Sequence, residues 1–111
     1  MKIDVTPRAG GVAVVAPTGR LDLMTAPELK QRLSTEIAAG NFRLLIDLGS
    51  ISFVDSSGLG ALIAGLKAAR LKGGDLRIAR PGDQAKSVLE LTSLHRVLKP
   101  HESVETALAG F

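Results

Sequence analysis

The chain has no cysteine, tryptophan or tyrosine, and its only aromatic residues are Phe42, Phe53 and Phe111. Without cysteine there is neither a disulfide nor a thiolate metal site, a usage that fits a reducing cytosol. With so few aromatics any core must be aliphatic, and there is no platform on which nucleic-acid bases would stack. No apolar run approaches the length of a membrane span. Met1-Lys2-Ile3-Asp4 opens without the apolar core of a secretion signal. No Gly-Lys-Ser/Thr phosphate loop occurs, and the only histidines are His95 and His101. These absences predict a soluble, cytoplasmic protein with no membrane insertion.

What is present is enough for one folded domain spanning residues 1–111. The apolar fraction is 45%, and neither low hydrophobicity nor high charge, the marks of disorder, is found. The formal charge is +3, which raises the question of nucleic acid. The basic residues are dispersed, however; Lys67, Arg70, Lys72, Arg77 and Arg80 are the sole local concentration and read as a solvated helix face. Direct nucleic-acid binding is not expected.

Ile3 and Val5, then Val12 to Val15, predict a β-hairpin turning at Gly10-Gly11 and ended by Pro17 and Gly19. Thr25-Ala26-Pro27-Glu28 has the form of a capping box, followed by Leu29, Leu33 and Ile37 on one helical face and a stop at Gly40. Leu44 to Leu48 is nearly unbroken apolar, as a central strand covered on both faces requires. A second helix should run from near Ser56 to Lys72, ahead of Gly73-Gly74, and a strand should carry Leu76 and Ile78. Pro81-Gly82-Asp83 opens a third helix with Val88, Leu89 and Leu91 inward. Val97-Leu98 reads as a short strand, and Val104, Ala107 and Leu108 as a closing helix. The expected fold is a mixed α/β domain, a sheet of about four to five strands against about four helices.

The densest chemistry lies in Asp55-Ser56-Ser57-Gly58-Leu59-Gly60, between the apolar run Ile51 to Val54 and the helix carrying Leu59, Leu62, Ile63 and Leu66. Two hydroxyls and a carboxylate fall at a helix mouth, where free N–H groups and the positive dipole end favour a phosphate. Asp55, Ser56 and Ser57 are each able to cap that helix. Gly58 and Gly60 cost on the order of 1 kcal/mol each relative to alanine. That cost is explained either by a mouth kept bare for a partner or by tight packing on the sheet. A serine hydrolase is disfavoured, because Val54 stands where a nucleophile elbow needs glycine and the histidines read as surface residues. Gly58-Leu59-Gly60 starts a dinucleotide motif, but Ile63 takes the place of its third glycine. Asp22, Asp47 and Asp55 could gather at one sheet end, without the spacing of a metal site. No catalytic or metal-binding residue is assigned, and the chain reads as a non-enzyme.

Gly19-Arg20-Leu21-Asp22, the Thr25 box, Leu44 to Leu48 and Ser52 through Gly60 together resemble a STAS domain of the stand-alone anti-sigma factor antagonist family. Gly73-Gly74-Asp75-Leu76 and Leu91-Thr92-Ser93-Leu94 continue the resemblance over nearly the whole chain. Arg20 departs from it, standing where such domains often carry glutamate. The resemblance implies a partner-switching regulator. Unphosphorylated, it binds an anti-sigma factor that is also a serine kinase and so frees a sigma factor. Phosphorylation at Ser56 releases it, and a PP2C-type phosphatase restores it. The implied contact residues are Asp22, Asp55, Ser56, Ser57, Gly58, Leu59 and Gly60. ATP and Mg²⁺ would belong to the kinase, so no cofactor is expected here. An alternative is a STAS scaffold subunit of a membrane lipid-transport complex, with the same surface and no phospho-switch.

Overall fold

The computed structural model describes residues 1–111. Strand β1 (Lys2–Arg8) turns through Gly10 and Gly11, at φ 81° and 73°, into the ten-residue β2 (Val12–Leu21). Positive φ at both positions is a conformation that glycine alone adopts without cost. The chain continues through α1 (Ala26–Ala38), β3 (Arg43–Asp47), β4 (Ile51–Val54), α2 (Ser56–Leu71) and β5 (Asp75–Ala79). It closes with α3 (Asp83–Leu91), α4 (His95–Leu98), β6 (Pro100–His101) and α5 (Val104–Ala109). The strands lie in the order β1-β2-β3-β5-β6, with β4 paired to β2 alone. Only the β1–β2 pairing is antiparallel. The mixed α/β class is as expected, and the strand and helix beyond the expected numbers are the two-residue β6 and the four-residue α4.

Period-two alternation sorts the strands between two cores. Ala13, Val15, Leu44, Ile46, Leu76 and Ile78 face α1 and α2, joining Leu29, Leu33, Leu62 and Leu66 in the main cluster. Val14, Leu45 and Ala79 point to the other face and meet Ala107 of α5. β3 is thus covered on both sides, which explains its unbroken apolar sequence.

Four local expectations are corrected. β2 does not end at Pro17 and Gly19 but runs on to Leu21. It pairs with β3 over Val12–Val15 and with β4 over Gly19–Leu21, and Pro17 falls in the gap between these ladders. The Thr25 capping box does not form: Thr25 has helical backbone and makes no side-chain cap bond. Its hydroxyl instead donates to Arg20 O at 2.6 Å. Val97-Leu98 belongs to helix α4, and Leu91, expected inward, is 86% exposed.

The consequence for the site is positional. β4 carries the chain to the C-terminal end of β2, and α2 starts immediately beyond it. Its outer edge has no neighbouring strand; Gln84 of α3 closes it, accepting from Val54 N and donating to Val54 O, both at 2.8 Å. One amide side chain thereby imitates a strand partner and fixes the residue before Asp55.

Candidate functional site at the mouth of helix 2

Asp55 is the residue that caps α2. Its backbone is extended, and its Oδ1 accepts from Gly58 N at 2.9 Å. The other carboxylate oxygen reaches across the sheet end to accept from Leu23 N at 3.1 Å. With Asp55 N donating to Leu21 O at 3.2 Å, the residue ties the helix mouth to the β2–α1 loop. Ser56, the first helical residue, is exposed, and no intramolecular hydrogen bond engages its hydroxyl. The choice among three possible caps is thus settled: aspartate takes the free N–H and Ser56 is left available at the positive end of a sixteen-residue helix.

Asp22 organises the adjoining loop. Its Oδ1 accepts from Met24 N at 3.0 Å and Thr25 N at 3.3 Å, while Oδ2 accepts from Arg20 Nε at 3.4 Å. Desolvation pushes the Asp22 carboxyl up, but the hydrogen bonds from Thr25, Met24 and Arg20 outweigh it and hold the group below its ordinary value. Asp22 is therefore an anion at neutral pH. Asp22 and Asp55 do converge on the same loop, but Asp47 does not join them: it is held by Arg80 at the ends of β3 and β5. No group of three potential metal ligands forms anywhere in the structure.

The two glycines differ. A Cβ on Gly58 would collide with the Leu21 carbonyl oxygen, so this glycine lets α2 lie close against β2. Gly60 has open space around its Cβ direction and is exposed. Leu59 is 4% exposed and belongs to the main core. Of the expected contact residues, then, Ser56 and Gly60 are on the surface, Asp22, Asp55 and Ser57 are half-buried, and Gly58 and Leu59 lie beneath it.

Sequence reading missed the neighbours that complete this surface. Leu23 and Met24 are 70% and 84% exposed on the loop that Asp22 and Asp55 hold. Arg20 lies over the Phe53 ring at 4.3 Å from its centroid, its cross-strand neighbour in the β2–β4 ladder. A lone Leu-Met pair after an aspartate has no periodicity by which to mark it; only the loop's hydrogen bonds show that it is displayed.

The remaining charged groups give no rival centre. Of the basic cluster, Arg70 and Arg77 flank Asp75 at 3.3 and 3.7 Å and Arg80 binds Asp47 at 2.8 Å, while Lys67 and Lys72 are exposed on and just after α2. The histidines correct the surface expectation: both are half-buried and line one cleft of about 430 Å³ with Arg80, Lys86, Glu90 and Glu102. Ser56 does not line that cleft, and the one histidine side-chain hydrogen bond, His95 Nδ1 with Leu89 O, involves no serine. No helix is long and apolar enough to cross a membrane.

The STAS domain model matches residues 5–107. The anti-sigma-B factor antagonist of Staphylococcus aureus is 31% identical over 87 residues, covering 78% of this chain and 81% of its own. An anti-sigma factor antagonist from Mycobacterium paratuberculosis superposes with a TM-score of 0.86 at 28% identity, covering 98% of this chain and 92% of its own. The Bacillus cell fate determinant SpoIIAA in its phosphorylated form shares the fold, with a TM-score of 0.75, 19% identity and 97% of each chain covered. The chain belongs to the STAS domain family, and its likeness within that family is to anti-sigma factor antagonists.

Proposed function

We propose that this chain is an anti-sigma factor antagonist whose binding is switched at Ser56. In its unphosphorylated form it binds an anti-sigma factor that is also a serine kinase, and a sigma factor is thereby freed. Phosphorylation of Ser56 ends the complex, and a PP2C-type phosphatase restores the binding form. The chain acts as a regulatory partner in the cytoplasm and performs no catalysis itself.

The observation that carries this reading is the division of labour at the α2 mouth. Asp55 supplies the cap, so the exposed Ser56 hydroxyl has no structural duty. A phosphate there would add about −1.5 to −2 charges at the centre of the surface. The helix dipole would partly favour it, but Asp22 and Asp55, both committed to backbone N–H groups, cannot turn away. The result is a local electrostatic and steric veto on the complex with no refolding of the domain.

The test is incubation with anti-sigma factor kinases from the same genome and ATP, read by intact mass and site mapping. One phosphate at Ser56, absent from Ser56→Ala and weakening the complex, is the expected result. Stable binding with no phosphorylation at Ser56 would overturn the switch and leave a scaffold.

A further inference from the structure

Four large apolar side chains are strongly exposed: Leu23, Met24, Leu71 and Leu91. Leu71 and Leu91 end helices α2 and α3, where the last turn commonly emerges into solvent. Leu23 and Met24 differ because they sit on a loop with little freedom. Leu23 N donates to Asp55 at 3.1 Å, Met24 N to Asp22 at 3.0 Å, and Thr25 and Ala26 N return to Asp22 O at 3.1 and 2.8 Å. An apolar pair held rigidly in water incurs little ordering entropy when a partner covers it, as an interface anchor should.

Beside the pair runs a shallow groove between the starts of α1 and α2, about 490 Å³ in volume. Ala26, Pro27 and Ala61 contribute its apolar wall, and Lys30 and Ser57 also line it. Arg20, near the end of β2 just before the loop, has its side chain 60% exposed against 22% for Asp22. Phe53 supports its guanidinium, Asp22 engages only its Nε, and its terminal amino groups make no intramolecular hydrogen bond. Asp22 and Asp55 keep their charge but are engaged by backbone N–H groups, and Asp22 by Arg20 Nε as well, whereas the Arg20 terminal amino groups have no internal partner and Lys30 is exposed. The surface thus displays an exposed apolar pair, with Lys30 in the same groove as Leu23 and Arg20 on the strand that leads into the loop.

Resting on the partner-switching reading, we infer that Leu23 and Met24 are the anchors of the complex and that the partner is a protein surface with an apolar pocket rimmed by carboxylates, which meet Arg20 and Lys30. This surface chemistry deepens the switch. A phosphate on Ser56, beside the groove-lining Ser57, would neutralise the basic rim and repel an acidic partner, so the same charge complementarity that favours binding makes it phosphate-sensitive.

The test uses the full chain and titration calorimetry against the anti-sigma factors of the same genome, at low and high salt. Leu23→Ala and Met24→Ala should each weaken the wild-type complex about 10-fold or more. Arg20→Glu should weaken it by a similar factor of about 10 and flatten its salt dependence, whereas Arg20→Lys should retain that dependence. Leu71→Ala and Leu91→Ala, equally exposed but remote from the loop, should bind as wild type does. Thermal melts check that each variant is folded, which surface positions permit. If the wild type binds and is switched at Ser56 while the Leu23, Met24 and Arg20 variants bind normally, this inference falls and the partner-switching reading stands. Equal losses at Leu71 or Leu91, or wild-type affinity that rises with salt, also overturn it. If the wild type binds none of these anti-sigma factors, both fall together.

Discussion

Two carboxylate centres lie at the C-terminal end of the sheet, and they use their charge in opposite ways. At the ends of β3 and β5, Asp47 is 9% exposed and takes a two-point grip from Arg80, at 2.9 and 2.8 Å, plus Gly49 N at 3.0 Å. Arg80 accepts a left-handed backbone at φ 54° to make that grip. Every charge there has a partner. At the mouth of α2, Asp55 and Asp22 bind backbone N–H groups, those of Leu23 and Met24 among them, and the Ser56 hydroxyl and the Leu23 and Met24 side chains are left to solvent. The first arrangement holds the fold; the second holds a surface in shape for something else. A site is recognised less by its charged residues than by which groups those residues leave free.

The contrast can be broken most severely at Gly58. Gly58→Val should destabilise the domain by about 2–3 kcal/mol in denaturant titration, because the added atoms meet the Leu21 carbonyl and no flexible side chain can yield. Gly60→Ala, one turn position away in open space, should instead stabilise by up to about 1 kcal/mol through helix propensity. Opposite signs at these glycines separate packing from surface display.

Asp47→Asn should cost about 1–2 kcal/mol, less than a fully buried pair because Arg80 is half exposed. Burial pushes the Asp47 carboxyl up, but Arg80 and Gly49 N pull it further down, below its ordinary 3.8. A depressed carboxylate contributes stability that is present above the unfolded value and lost as pH falls through the folded one. Acid titration of stability should therefore show a loss below about pH 4 that Asp47→Asn reduces. A variant with an unchanged acid limb would show that the pair does not hold the fold.

Asp55→Ala should cost about 1 kcal/mol as a lost N-cap. It should also speed amide hydrogen exchange at Leu23, whose N–H it releases. Ser56→Ala is the smallest change in stability, within about 0.5 kcal/mol, since its hydroxyl has no partner to lose. A larger loss there would show that Ser56 carries structure after all and remove the distinction between the two centres.

Much of this was legible from residue order. Alternation in Val12 to Val15 and Leu44 to Leu48, the helical spacing of Leu29, Leu33 and Ile37, and the glycine turn at Gly10-Gly11 all report local backbone geometry. Sequence patterns misled where other contacts, local or long-range, competed. Thr25 had the form of a cap, yet its hydroxyl found Arg20 O; Pro17 had the form of a strand end, yet it fell between two ladders. Leu91 had helical spacing but lies where α3 has passed beyond the core.

By itself, the sequence determined the aliphatic core, the order of hairpin and alternating units, and the placing of two serines and an aspartate at a helix start. Those properties follow from side-chain period, composition and turn chemistry, which act over a few residues. Only the tertiary structure decided that Asp55 rather than a serine is the cap and that Gln84 closes the β4 edge. It also decided that Arg20 stacks on Phe53 and that Leu23 and Met24 are displayed. Gln84 on Val54, Arg20 on Phe53 and Asp55 on Leu23 N each join distant parts of the chain, and the Asp55 cap is chosen among adjacent candidates by that long-range tie. Chemically equivalent neighbours become distinct only when packing decides which N–H groups, edges and cavities each can reach.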